Sequence, residues 1–120
     1  MPNHIEIKGT ELLIEKLIKL GHKVEKSDVK TFDLKVDGRY VEIKTKNKSF
    51  NNLDFISLTD KQYRKIEDDF KIFLVCNVEN DKDIEFYEIS SIDLTKISPK
   101  KIEHYEYNKG ELAKVNKLKI

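Results

Sequence analysis

At 120 residues the chain is long enough for one modest hydrophobic core and too short for several, so it reads as a single domain over 1–120. Charged and apolar residues each make up 38% of it, and no run approaches the ~18 apolar residues of a membrane span, so a soluble globular protein is expected. The net charge of +1 does not advertise nucleic-acid binding, although interspersed lysines and glutamates leave room for a local basic patch.

In chain order, the stretch "KGTELLIEKLIKLGHKV" carries the first helix, with Leu13, Leu17 and Leu20 beside Ile14 and Ile18 at helical spacing and Gly21 as its stop. His4, before it, falls in a terminus expected to fray; His22 and His104 read as surface histidines. A short strand is expected at 22–25, then a polar turn at "KSDVK". Next come two apolar-alternating runs on either side of Asp37-Gly38, a strong signal for a two-residue hairpin turn. The polar loop "NKSFNNLD" leads to a short strand at 55–58, and Thr59 or Asp60 can cap a second helix, "DKQYRKIEDD", whose apolar face is Tyr63 and Ile66. The continuous apolar run "FKIFLVCNV" predicts a central strand buried on both faces. Its Cys76 has no second cysteine to pair with and reads as a buried core thiol; with no signal peptide at the start, a reducing cytoplasm is the expected compartment. "IEFYEI" alternates as a strand, "SSIDLTKI" reads as a short helix or turn, and "KIEHYEY" as an edge strand. The order α-β-β-β-α-β-β predicts an α/β sandwich around a mixed sheet, with helices flanking it.

The hairpin carries the chemistry. With Asp37 and Gly38 as the turn, Val36 faces Arg39, Lys35 faces Tyr40, Leu34 faces Val41, and Asp33 faces Glu42. Strand periodicity groups Phe32, Leu34 and Val36 with Val41, Ile43 and Thr45 on one face. The other face carries Asp33, Lys35, Tyr40, Glu42, Lys44 and Lys46. Opposed carboxylates destabilise a sheet, yet side chains about 4.5–5.5 Å apart at Cβ can share one cation. Hard oxygen ligands without nearby histidine or thiolate point to Mg²⁺ or Mn²⁺, with the Ile43 backbone carbonyl as a further ligand. Lys44, on the same side, can hold a nucleophilic water or stabilise charge on a phosphoryl oxygen. Carboxylates, a hard cation and a lysine together suit hydrolysis of a phosphodiester. The plainer alternative is a solvated polar face with a Lys44–Glu42 or Lys35–Glu42 ion pair.

On these residues the chain resembles the PD-(D/E)xK restriction-endonuclease-like nucleases. "FD" at 32–33, eight residues, then "EIK" at 42–44 match the family's core motif, with "GTELLIEKLIKLG" before it and "LTDKQYRKIEDDFKIFLVCNV" after it. Phe32 stands where the family name has proline. The ordering is similar to archaeal Holliday-junction resolvases and Mrr-like nucleases over about residues 9–78, leaving the last forty residues unassigned. The resemblance implies an αβββαβ core over about 9–90, a C-terminal extension at 98–120, and a Mg²⁺- or Mn²⁺-dependent deoxyribonuclease, with a homodimer able to cut two strands of double-stranded or branched DNA. It implies metal binding by Asp33 and Glu42, catalytic assistance from Lys44, and a helix-one acid, Glu11, that binds metal or orients water. Glu15 is the alternative acid, and a first-turn glutamate complementing the helix dipole is the plainer reading of Glu11. Lys30, Lys46 and Lys48 would grip phosphates. Gln62 is a candidate to reach the site or DNA, against the plainer reading of an exposed helix residue. A non-catalytic nucleic-acid-binding module of the same fold, or a small protein-interaction module, is the competing expectation.

Overall fold

The first helix begins earlier than its apolar spacing indicates. A computed structural model describes residues 3–101 and 104–120 of the chain. In it α1 spans His4–Lys19, because the Asn3 side chain caps it by accepting the Glu6 N–H at 2.9 Å. His4, expected to fray, is helical, and its Nε2 lies 2.8 Å from Glu79 Oε1. Leu13 and Leu17 are fully buried, but Ile18 and Leu20 are 58% and 52% exposed, so the buried stripe is narrower than the run of apolar residues.

Three strands follow: β1 (Val24–Lys26), β2 (Leu34–Val36) and β3 (Arg39–Thr45). Asp37 and Gly38 take φ of 52° and 83°, the paired left-handed conformation of a type I′ turn. This turn sets the expected register: Leu34 opposes Val41, Lys35 opposes Tyr40, and Val36 opposes Arg39. Asp37 also ties the turn to the start of β1, accepting the Lys23 N–H at 2.8 Å and contacting His22 Nδ1 at 2.6 Å. The fourth expected pair, Asp33 with Glu42, is absent from the ladder because the chain bends at Asp33. Phe32 consequently leaves the face of Leu34 and Val36 and stacks on Tyr40 (centroids 5.3 Å apart) and against Phe70 (4.8 Å) on the other side of the sheet.

The chain continues through β4 (Phe55–Leu58), α2 (Asp60–Arg64), β5 (Lys71–Cys76), β6 (Glu85–Ser90), α3 (Ser91–Leu94), β7 (Lys100–Lys101), β8 (Tyr105–Asn108), α4 (Lys109–Leu112) and β9 (Leu118–Lys119). Helix α2 is shorter than "DKQYRKIEDD" suggests. A 3-10 turn at Ile66–Asp68 follows it, and Asp69, at φ 55°, ends the turn in the left-handed region. The fold is mixed α/β. Its larger sheet has the order β1-β2-β3-β5-β6-β9, and its β3–β5 pair is parallel while the other pairs are antiparallel.

One mixed sheet was the expectation, and the strand at 55–58 departs from it. β4 joins a second, three-stranded sheet of order β4-β8-β7. Within "KIEHYEY", β8 is the middle strand of that sheet rather than an edge. Residues 98–120 therefore contribute strands to both sheets.

β5 lies between β3 and β6 and divides its side chains, as a strand buried on both faces must. Phe73 and Val75 pack with Leu13 and Leu17 under α1. Ile72, Leu74 and Cys76 pack with Ile56, Leu58, Tyr107 and Leu112 beneath the second sheet and the short helices. Helices thus flank the central sheet, and the second sheet covers part of one face. No helix among the described residues is long and apolar enough to cross a membrane.

α1 approaches β3 closely at Gly9, where a Cβ would collide with Thr45 Cγ2. Gly9→Ala should therefore destabilise the fold by about 1–3 kcal/mol in urea unfolding, despite a gain of about 1 kcal/mol in helix propensity. Adding Thr45→Ser, which removes the colliding methyl, should recover part of that loss, since Thr45 Cβ and Val78 Cγ2 would still lie 3.1 and 3.3 Å from the new methyl. Equal stability of Gly9→Ala and wild type would mean that the helix and strand separate without cost.

Candidate active site

β3 runs on for four residues after β2 has stopped, so its edge from Glu42 to Thr45 has lost its antiparallel neighbour while its other edge still pairs with β5. An unpaired main-chain N–H at such an edge needs an acceptor. Asp33 supplies one: its Oδ2 accepts the Ile43 N–H at 2.9 Å, while its own N–H donates to Val41 O at 3.0 Å. The carboxylate thus takes the place a ladder carbonyl would have filled. The N–H and C=O of one strand residue point to the same edge, so the Ile43 carbonyl is directed to the Asp33 side as well.

What holds the chain away from β3 is local and polar. Thr59 and Gln62 form a capping box at the start of α2, and Gln62 Nε2 donates to the Thr31 carbonyl at 3.1 Å. With Phe32 buried against Tyr40 and Phe70, this bond anchors the two residues before Asp33. Gln62 is therefore not an exposed helix residue: it is 5% exposed, with its amide oxygen and nitrogen both engaged. Its place is behind the site, as a support for the bend.

The edge of β3 opens into a cleft of about 680 Å³. Asp33, Glu42, Ile43, Lys44 and Lys46 line it from the hairpin, Glu11 from α1 across the gap. α1 also contributes Glu6, Ile7 and Thr10, and β4 contributes Ser57. The residues singled out in sequence as acid, acid, lysine and helix acid thus meet at one place. Glu15, the alternative helix acid, is exposed and does not line the cleft. Lys30 is exposed outside it, and Lys48, also outside, pairs with Asp54 at 3.3 Å. Ser57, Thr10 and Glu6 carried no sequence signal, because short polar residues on a strand or helix point nowhere until the elements are packed.

The two carboxylates differ in environment. Asp33 is exposed, whereas Glu42 is 7% exposed, because β4 and the second sheet cover the face that period-two alternation assigned to solvent. Glu42 Oε2 lies 3.0 Å from Lys44 Nζ, so the anticipated Lys44–Glu42 pair exists, but largely buried. Burial pushes the Glu42 carboxyl up to about 7; Lys44 opposes the shift, and the adjacent Asp33 adds to it as hydrogen-bonding partner and like charge. Burial first, and then the charge of Lys44, lowers the pKa of Lys46, whose Nζ lies 4.7 Å from the centre of the Phe55 ring. Among the described residues, no group of three or more His, Cys, Asp or Glu side chains is placed to hold a metal ion. The oxygens gathered at the edge are two carboxylates and a main-chain carbonyl.

The chain matches no protein-family model, and no curated protein or solved structure matches it either. The arrangement can hold a proton on Glu42 near neutrality, present an ammonium beside it, and offer carboxylate oxygens to a cation.

The raised Glu42 pKa has a stability consequence. The native state holds this proton more tightly than an unfolded chain at the ordinary value of 4.5, so stability falls as pH rises from about 4.5 to about 7 and then levels. In urea unfolding with EDTA, wild type should lose on the order of 2–4 kcal/mol relative to Glu42→Gln across that window. A constant difference between the two proteins over the same range would mean that Glu42 is ionised at no cost, in contact with water.

Proposed function

We propose that the protein is a divalent-cation-dependent nuclease that hydrolyses phosphodiester bonds of DNA, with a restriction-endonuclease-like core. The observation that carries this reading is the convergence of Asp33, Glu42 and Lys44, with Glu11 opposite, at an unpaired strand edge inside one cleft. These are the residues to which the resemblance to PD-(D/E)xK nucleases assigns metal binding and catalysis.

The donor chemistry fits a hard cation. Asp33 keeps Oδ1 free of the Ile43 bond, Glu42 points its carboxyl to the same place, and the Ile43 carbonyl completes an all-oxygen set suited to Mg²⁺ or Mn²⁺. Such an ion, when bound, supplies a nucleophilic water of lowered pKa and positive charge for the developing phosphorane oxygens. The chain's own part is positioning and charge. Near neutrality a proton on Glu42, hydrogen-bonded to Asp33, relieves the repulsion between the two carboxylates, and a bound cation would do the same in its place. Lys44, held by Glu42 at 3.0 Å, would supply an ammonium to stabilise negative charge on a phosphate oxygen in the cleft. Glu11, exposed and lining the cleft from α1, would be placed to accept a proton from, or orient, a water in it.

A second reading has its own observation. Glu42 with a proton, or paired with Lys44, is satisfied without a metal, and among the described residues no group of three or more acids is placed to hold one. A non-catalytic DNA-binding module would have this property. Cleavage assays separate the two. With Mg²⁺ or Mn²⁺, DNA should be cut and EDTA should stop it; the cation should raise the melting temperature of wild type and not of Asp33→Asn. Lys44→Ala should lower cleavage by about 10²-fold or more while binding falls modestly. Cleavage by Lys44→Ala at the wild-type rate would place the chemistry elsewhere, and binding with no cleavage under any cation would favour the second reading.

A further inference from the structure

The lysines that line the cleft lie on one side of it only. α1 lines it with Glu6 and Glu11 and contributes no lysine to the lining. Two of the three lysines of α1 are engaged elsewhere, Lys8 with Asp81 at 3.2 Å and Lys16 over the Phe86 ring. The other side is lined by Lys44 on β3 and Lys46 just past its end, beside the carboxylates Asp33 and Glu42; in extended chain the two lysines are about 6.6 Å apart. That interval is of the order of the step between neighbouring phosphates on one extended strand.

Lys44 is held by Glu42, but Lys46 has no ion-pair partner among the described residues. The acids that act on Lys46 from a distance, Asp54 and Glu106, are themselves paired with Lys48 and His104. The Phe55 ring lies against the Lys46 ammonium, and Ser57, two residues along β4 from Phe55, also lines the cleft. Together they make a cation and a hydroxyl donor waiting for an anion.

We propose that the cleft takes a single unpaired DNA strand, with Lys46 and Ser57 holding the phosphate next to the one over Glu42 and Lys44. The inference rests on the phosphodiester reading above and names its substrate class. One strand can set its phosphates against Lys44 and Lys46. In a duplex the complementary strand would bring its phosphates toward the glutamate wall, where like charge opposes it. Ile7, 48% exposed at the rim, gives an unpaired base an apolar surface to lie against.

The test is binding, read in EDTA so that it is independent of cleavage. Anisotropy of a short dye-labelled single strand and of the duplex of the same sequence is titrated with the whole protein over a range of salt. The single strand should bind several-fold tighter than the duplex. Lys46→Gln should weaken single-strand binding several-fold and reduce the slope of log K against log salt by about 0.7, the value of one phosphate contact. Lys46→Arg should retain the slope. Duplex binding equal to or tighter than single-strand binding, an unchanged slope in Lys46→Gln, or no binding of either DNA would each overturn the proposal. Hydrolysis of bis(p-nitrophenyl) phosphate with Mg²⁺, a lone diester with no neighbouring phosphate, tests the parent reading separately.

Discussion

The bend at Asp33 is the constraint on which the rest of the site depends. A hairpin normally keeps both strands in the ladder as long as their alternation lasts, and here it would have buried the edge of β3 to its end. Instead the Asp33 carboxylate accepts the Ile43 N–H, a charge-assisted hydrogen bond that satisfies the edge while allowing the backbone to leave. Three groups hold the departure open: Gln62 on the Thr31 carbonyl, Phe32 between Tyr40 and Phe70, and the capping box that fixes Gln62 itself. The cleft is the space left by the strand that is not there.

The second consequence is electrostatic. Had the face of Tyr40, Glu42 and Lys44 been open to water, a Lys–Glu pair there would be worth little and would shift nothing. β4 comes from the other sheet to cover it, and Glu42 loses solvent without gaining enough from Lys44 to stay fully ionised at neutrality. A carboxyl that carries its proton until a cation or a change of pH removes it, beside an ammonium and a second, exposed carboxylate, is an unstable arrangement to leave in a core. It costs stability at physiological pH, and the proposed cation binding gives that cost a purpose.

The C-terminal segment supplies the cover. β4 has only four residues and pairs with β8 over all of them, from Phe55 opposite Asn108 to Leu58 opposite Tyr105. Tyr107 and Leu112, fully buried from that segment, fill the space between the two sheets. The burial of Glu42 thus depends on residues more than forty positions beyond Leu58. Ser57 owes its place at the cleft to the same pairing, since Ile56 and Leu58 turn inward and leave the residue between them on the other face.

The sequence by itself determined what depends on near neighbours. Asp-Gly with positive φ at both positions fixed the hairpin, its register from Leu34 to Val41, and hence Glu42 and Lys44 on one face. The apolar run at 70–78 announced a central strand, and helical spacing placed Glu11 beside the buried stripe of α1. The three-residue acid–acid–lysine set was legible for the same reason, because period two and turn type act over a few residues. Tertiary structure decided the rest. That Asp33 caps Ile43 rather than pairing with Glu42 in the ladder follows from Thr31 finding a partner on α2 and Phe32 finding Phe70 just before β5, far along the chain. That Gln62 is buried, that Glu42 is dry, and that 55–58 belongs to a second sheet all follow from pairings between segments that no local periodicity connects. Alternation says which residues share a face; only the packing of distant strands says whether that face meets water.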